Sequence, residues 1–187
     1  ELLNWNPDKL ALTIGYNLAI AQQHLEILNL LDNKTIKILK DKIQLVLPMT
    51  YGGTTKYKNE LLTKLNQLPY DFIIYDSFLK DEKVALIRKA SDIMIQLQKT
   101  DQFSGSMQEH LFARNVVITG SWLPYETMKE HGAHFIEIDK IEDLVKVLQE
   151  VIINFKKHEK STVNNPKAIL GLCSWEKNIK IWAELYN

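Results

Sequence analysis

The chain has 187 residues, 45% of them hydrophobic and 25% charged, which is enough to bury one full core and too apolar for a disordered segment. Its 23 basic and 23 acidic side chains cancel, so no overall field draws it toward nucleic acid. It contains neither an apolar run of about 18 residues nor a charged segment leading into an apolar one, so a helical membrane span and a signal peptide are not expected and a cytoplasmic protein is.

The one cysteine, Cys173, rules out an internal disulfide and fits a reducing compartment. With no flanking cation to depress its pKa, it is expected to serve as a small apolar residue. The chain starts at Glu1 rather than a methionine, and residues 1–8 read as a linker, so a longer parent protein is expected.

A short apolar run over residues 9–14, ended by Gly15, predicts a first strand and a tight turn. Residues 20–31 place Ile20, Gln23, His24, Ile27, Leu28 and Leu31 on one face at helical spacing, and a further helical turn is expected at 35–40. A second strand at 43–48 runs into the turn-rich Met49-Thr-Tyr-Gly-Gly53, followed by a helix at 55–68. The pattern repeats with a strand at 72–75 and a helix at 80–90, whose start is marked by Asp81 and Glu82.

A fourth strand at 93–97 leads through Asp101 into a helix at 106–114. A fifth strand is expected at 116–119, a short helix within 122–128 and a sixth strand at 134–138. Strands alternating with helices predict a doubly wound, Rossmann-like α/β domain over residues 9–157, with a parallel six-stranded sheet covered on both faces.

A long helix is expected at 141–156, with a polar stretch at 158–166 breaking the chain after it. Residues 158–187 then form a helical tail, in which Ser174 caps a last helix and Ile179, Trp182, Ala183 and Tyr186 line one face. That stripe packs either on its own domain or on a missing N-terminal domain.

Several chemistries are excluded. The chain has no G-x-x-x-x-G-K-[S/T] loop, and the turn after the first strand, Gly15-Tyr-Asn-Leu-Ala-Ile20, lacks the later glycines of a dinucleotide fingerprint. His131 and His134 have no cysteines or third ligand near them in sequence, so no metal site is predicted. No G-x-S-x-G elbow is present.

The loops at the carboxyl ends of the first four strands remain, and in an open parallel sheet they share one edge, where ligands bind. They hold Gly15, Tyr16 and Asn17; Thr50, Tyr51 and Gly52; Phe78 and Leu79; and Asp101, Phe103, Ser104, Gly105 and Ser106. Glu109 follows about one turn into the helix. Free N–H groups at Ser104 to Ser106 suit a diphosphate, and the Glu109 carboxylate suits a ribose diol.

Asp101-x7-Glu109, with Phe103 two residues after the first acid and Val116-Val-Ile-Thr119 after the helix, resembles the E-x7-E region of GT-B glycosyltransferases. The six-strand domain and the terminal Ser174-Trp175 helix resemble their C-terminal, donor-binding half. Within that superfamily the chain looks most like the bacterial 4-acetamido-4,6-dideoxygalactose (N-acetylfucosamine) transferases. The stretches that match are Ile14-Gly15 with His24 nine residues on, Leu47-Pro-Met-Thr-Tyr51, and the Asp101 region with Trp122 to Met128.

The resemblance implies a donor-binding domain for a nucleoside-diphosphate sugar, with no other cofactor. Glu109 would bind the ribose, Asp101 would sit by the sugar, Ser104 to Ser106 would cradle the diphosphate, and Phe78 and Leu79 would meet the base. It further implies a cell-surface polysaccharide or lipid-linked acceptor, a peripheral place at the inner face of the plasma membrane as an option, and transfer without a metal. Acceptor groups sit chiefly in the other half of such enzymes, so this portion alone is expected to bind donor without turnover, and no catalytic base is assigned.

Many relatives carry an Arg and a Lys after the first strand, where this chain has Tyr16, Asn17 and Gln22. Asp101 also replaces a Glu and reaches one methylene less far. A sugar-nucleotide epimerase of the same architecture and a non-catalytic regulatory α/β module are the competing readings.

Overall fold

A computed structural model describes residues 3–185. In chain order they form β1 (Leu10–Ile14), α1 (His24–Leu31), α2 (Lys34–Lys37), β2 (Ile43–Pro48), α3 (Thr55–Gln67), β3 (Asp71–Tyr75), α4 (Asp81–Ala90), β4 (Ile93–Gln96) and α5 (Gly105–Phe112). There follow β5 (Val116–Gly120), α6 (Glu126–Glu130), β6 (Ile136–Ile138), α7 (Leu144–Ile153), α8 (Phe155–Ser161), α9 (Asn165–Cys173) and α10 (Trp175–Leu185).

All six strands are parallel, in the order β3-β2-β1-β4-β5-β6. The chain builds outward from β1 to β3, returns to the middle, and builds the other way. β1 and β4 are therefore neighbours, with Leu12 opposite Ile93 and Ile14 opposite Ile95. The winding reverses between these two strands, and their carboxyl ends bound a crevice.

The central strands read as continuous apolar runs because both faces are covered. Leu12, Ile14, Leu45, Leu47, Ile93 and Ile95 pack under α1, α3 and α7 through Ile27, Leu28, Leu61, Leu65, Leu148 and Val151. On the opposite face Met94 and Val117 meet Met107 and Leu111 of α5, Met128 of α6 and Ile169 of α9. Ala11 and Val46 meet Ile87 of α4 there. The alternation of neighbours along each strand between these clusters is the two-residue period of the pleat.

Three expectations about the helices are corrected. The helix over 20–31 is a 3-10 turn at Ile20–Gln22 and then α1, divided at Gln23, whose φ of 58° is left-handed. The Gln23 side-chain amide donates to the Leu97 carbonyl at 2.6 Å, and Ile20 is exposed, so the buried face begins at His24. The helix over 141–156 is likewise divided, at Asn154, into α7 and α8.

The polar stretch over 158–166 does not break the chain into a loop. α8 continues to Ser161, and Pro166 lies in the first turn of α9, where a missing N–H costs nothing. Buried Asn165 pins α9 to the sheet by accepting from the His134 backbone N–H (2.7 Å) and donating to the His134 carbonyl (2.9 Å). No described residue of α10 is buried: Ile179 and Trp182 stay exposed, and Tyr186 lies outside the described residues.

Candidate functional site

A cleft of about 490 Å³ opens at the carboxyl edge of the sheet beside the β1–β4 reversal. Tyr16 comes from the end of β1; Pro48, Thr50 and Tyr51 from the end of β2; Phe78 and Leu79 from the loop after β3. Val84, Ile87 and Arg88 of α4 form one wall, and Gly105, Ser106 and Glu109 of α5 form another. The separate strand-end loops thus converge because every strand runs the same way.

The start of α5 is built as an open helix terminus. The Ser104 side chain accepts from the Met107 N–H at 3.2 Å and caps the helix. Ser104 is buried and is not among the residues that line the cleft. Gly105 and Ser106, at the first two helical positions, have N–H groups with no intrahelical partner. A Cβ built on Gly105 would meet nothing within 4 Å. The Ser106 hydroxyl is buried and has no hydrogen-bond partner among the described residues.

One turn on, Glu109 is half-exposed, and its Oε2 accepts from Arg88 Nε at 3.1 Å. Arg88 was not foreseen. At the end of α4 it reads as a cation complementing a negative helix terminus. The signal that marks it is spacing: Val84, Ile87 and Arg88 fall at i, i+3 and i+4, which puts an arginine on the helix's inward apolar stripe.

The remaining site residues do not line the cleft. Gly15 has a φ of 61°, and a Cβ there would lie 2.8 Å from Gln22 Oε1 and 3.0 Å from His24 Nε2, so the turn requires glycine. Asn17 Oδ1 accepts from the Ala19 N–H (2.9 Å), and the Leu18 N–H bonds the Tyr51 carbonyl (2.7 Å). These bonds fasten the loop after β1 to the loop that carries Gly52. Phe103 is partly exposed and lies outside the lining.

Asp101 sits behind Tyr16 in a network of amides and phenols. Its Oδ2 accepts a close hydrogen bond from the Tyr125 hydroxyl and one from Gln96 Nε2 at 3.3 Å, and its Oδ1 accepts from the Gln102 N–H at 2.8 Å. Beside it, Gln22 Nε2 donates to Gln98 Oε1 (2.8 Å) and the Trp122 indole N–H donates to the Gln98 carbonyl (2.9 Å).

Burial pushes both phenols, Tyr16 and Tyr125, above the usual tyrosine range. The Asp101 carboxylate adds to both shifts, through a hydrogen bond to Tyr125 and through its charge on Tyr16. Both are therefore protonated donors at neutral pH. The Asp101 carboxylate is held by these neighbours and ties the start of the loop that feeds α5 to Tyr125 and Gln96.

Tyr125→Phe removes a charge-assisted bond inside this network and is expected to cost about 1–3 kcal/mol of stability in urea unfolding. An unchanged unfolding midpoint would show that the Asp101–Tyr125 contact does not hold the loop.

Among the described residues no group of three or more His, Cys, Asp or Glu side chains is placed to hold a metal ion. No described helix is long and apolar enough to cross a membrane. Cys173 is half-buried, and burial raises its thiol above the ordinary range.

No family model matches the sequence, and no curated protein matches it in sequence. The fold is nonetheless found in solved structures. The C-terminal domain of LpcC, a group 1 family glycosyltransferase from Francisella tularensis, superposes with a TM-score of 0.69 at 16% identity, over 89% of this chain and 87% of that domain. HepE of Anabaena, solved with UDP and glucose, superposes with a TM-score of 0.78 at 11% identity, over 96% of this chain and 48% of that one. Sucrose-phosphate synthase of Thermosynechococcus elongatus gives 0.70 at 15% identity, over 96% of this chain and 45% of that one.

The six-stranded Rossmann-like sheet with its C-terminal helices is thus the fold of the C-terminal domain of GT-B glycosyltransferases. The chain spans about half the length of HepE and of the synthase.

Proposed function

We propose that this chain is the donor-binding half of a glycosyltransferase whose sugar comes from a nucleoside-diphosphate sugar. The observation that carries the reading is the position of the cleft. It lies at the topological reversal of the sheet, with the unbonded N–H groups of Gly105 and Ser106 on one side and Glu109 one turn deeper. A helix terminus favours the diphosphate, and a carboxylate accepts from ribose hydroxyls.

Phe78 and Leu79, with Tyr51 across the opening, offer an apolar rim for the base. Asp101, braced by Tyr125 and Gln96, flanks the place of the sugar. As the sugar departs, negative charge grows on the leaving diphosphate, and fixed amides with the α5 dipole oppose it without reorganisation. This arrangement supports transfer without a metal.

The acceptor is proposed to be a cell-surface polysaccharide or a lipid-linked glycan, as in the N-acetylfucosamine transferases, and to bind between this chain and an N-terminal half. A place at the inner face of the plasma membrane belongs to the same proposal.

Titration calorimetry of the chain against UDP-, dTDP- and GDP-sugars tests the reading. One of them is expected to bind, and Glu109→Ala to weaken it about 10- to 100-fold, the worth of a charge-assisted hydrogen bond. Binding by none of the panel, or binding indifferent to Glu109, would sink the assignment.

A further inference from the structure

A nucleoside diphosphate brings a strong negative charge into its site, and helix amides supply only partial charges against it. The loop after β1 supplies no cation: Tyr16 and Asn17 stand there, and Asn17 is buried in a turn. Among the residues that line the cleft, Arg88 is the one cation. His110, on the next turn of α5, is fully buried. Burial first, and the Arg88 charge second, hold its imidazole well below the usual histidine range, so it is neutral.

Arg88 is placed as a fixed charge rather than a solvated one. Its backbone carbonyl accepts from Asn115 Nδ2 at 3.1 Å, which ties the end of α4 to the start of β5. Its side chain is only 12% exposed, against 55% for its partner Glu109. The ion pair uses Nε alone, and among the described residues nothing else hydrogen-bonds the guanidinium. Two Nη groups therefore stay available. The carboxylate is the more solvated partner, so the guanidinium is the more sheltered of the two charges.

We propose that Arg88 neutralises the diphosphate of the bound donor, delivering from α4 the positive charge that the loop after β1 lacks. A guanidinium already oriented through Nε presents its Nη fork to phosphate oxygens with little ordering cost. The same residue then holds Glu109 for the ribose and meets the neighbouring phosphates, which couples the two subsites. This inference rests on the reading of the cleft as a nucleoside-diphosphate sugar site.

The test compares a nucleoside diphosphate with its own nucleoside: UDP, dTDP and GDP against uridine, thymidine and guanosine, by calorimetry on the 187-residue chain. In the unmodified chain the diphosphate that binds is expected to bind at least about tenfold more tightly than its nucleoside, an advantage that shrinks as salt rises. Arg88→Met, which keeps the apolar stem, is expected to remove about tenfold of that advantage, and Arg88→Lys to restore part of it.

Equal weakening of diphosphate and nucleoside by Arg88→Met would overturn the proposal, because Arg88 would then act only by holding Glu109. An advantage in the unmodified chain that is independent of salt would overturn it without any variant having to fold. If a diphosphate binds and Arg88→Met leaves its advantage intact, this inference alone falls. If none of the three binds the unmodified chain, it falls together with the function proposed above.

Discussion

Gly105→Leu is expected to abolish nucleotide-sugar binding and to leave the fold intact. A Cβ at this position meets nothing within 4 Å, so the new side chain grows into open space at the mouth of the cleft rather than into the core. Leucine is also the better helix former, by up to about 1 kcal/mol at an interior position and less at the first turn. The unfolding midpoint should therefore hold or rise slightly.

The diphosphate seat, by contrast, is the space the leucine occupies, and a loss of about 100-fold or more in affinity is expected, equivalent to roughly 2.7 kcal/mol. Calorimetry and urea unfolding on the same preparation separate the two effects. Undiminished binding would place the donor away from the start of α5 and overturn the site.

The second large effect is acid lability between pH 6.5 and 4. His24 is fully buried under the turn at Gly15, and burial lowers its pKa from 6.5 to about 4. Neither ring nitrogen is hydrogen-bonded in good geometry, and the nearby Ile14 carbonyl only opposes the shift. The sign follows from linkage. Above pH 6.5 the ring is neutral in both states and costs nothing. As pH falls from 6.5 toward 4 the unfolded chain takes up a proton that the folded chain refuses, so stability is lost.

From His24 alone the loss between pH 7.5 and 5 is about 2 kcal/mol. His110, shifted the same way by burial and by Arg88, adds to it. Exposed carboxylates have mostly not begun to protonate at pH 5. Urea unfolding at the two pH values measures the difference, and His24→Gln is expected to reduce it by about 2 kcal/mol. An unaltered difference in that variant would show that His24 is not kept neutral.

Much of the architecture was legible in the sequence because buried parallel strands write themselves as short apolar runs, and 43–48, 93–97 and 116–119 are such runs. What failed was continuity. The helical period through 20–31 continues across Gln23, yet the backbone turns left-handed there, where the side chain reaches Leu97 on another element. No local pattern announces a bond to a residue 74 positions away. α9 was hidden for a related reason: Asn165 and Pro166 look like loop residues until Asn165 finds the His134 backbone.

In the site, the sequence by itself determined which loops meet. Parallel strands put their carboxyl ends on one edge, and this alone brought Tyr16, Thr50, Tyr51, Phe78, Leu79, Gly105, Ser106 and Glu109 to one cleft. It also placed a helix just after Asp101, at 106–114 where the structure has Gly105–Phe112, but that Ser104 caps this helix became visible only in the structure.

The tertiary structure alone decided how the charges are partnered. Asp101 and Glu109 look alike in sequence, yet one is bound into a buried phenol–amide network and the other stands half-exposed against an arginine from a different helix. The distances that separate those roles are set by packing between α4, α5 and α6. Coulomb and hydrogen-bond energies depend on separation and burial, which the order of residues along the chain does not contain.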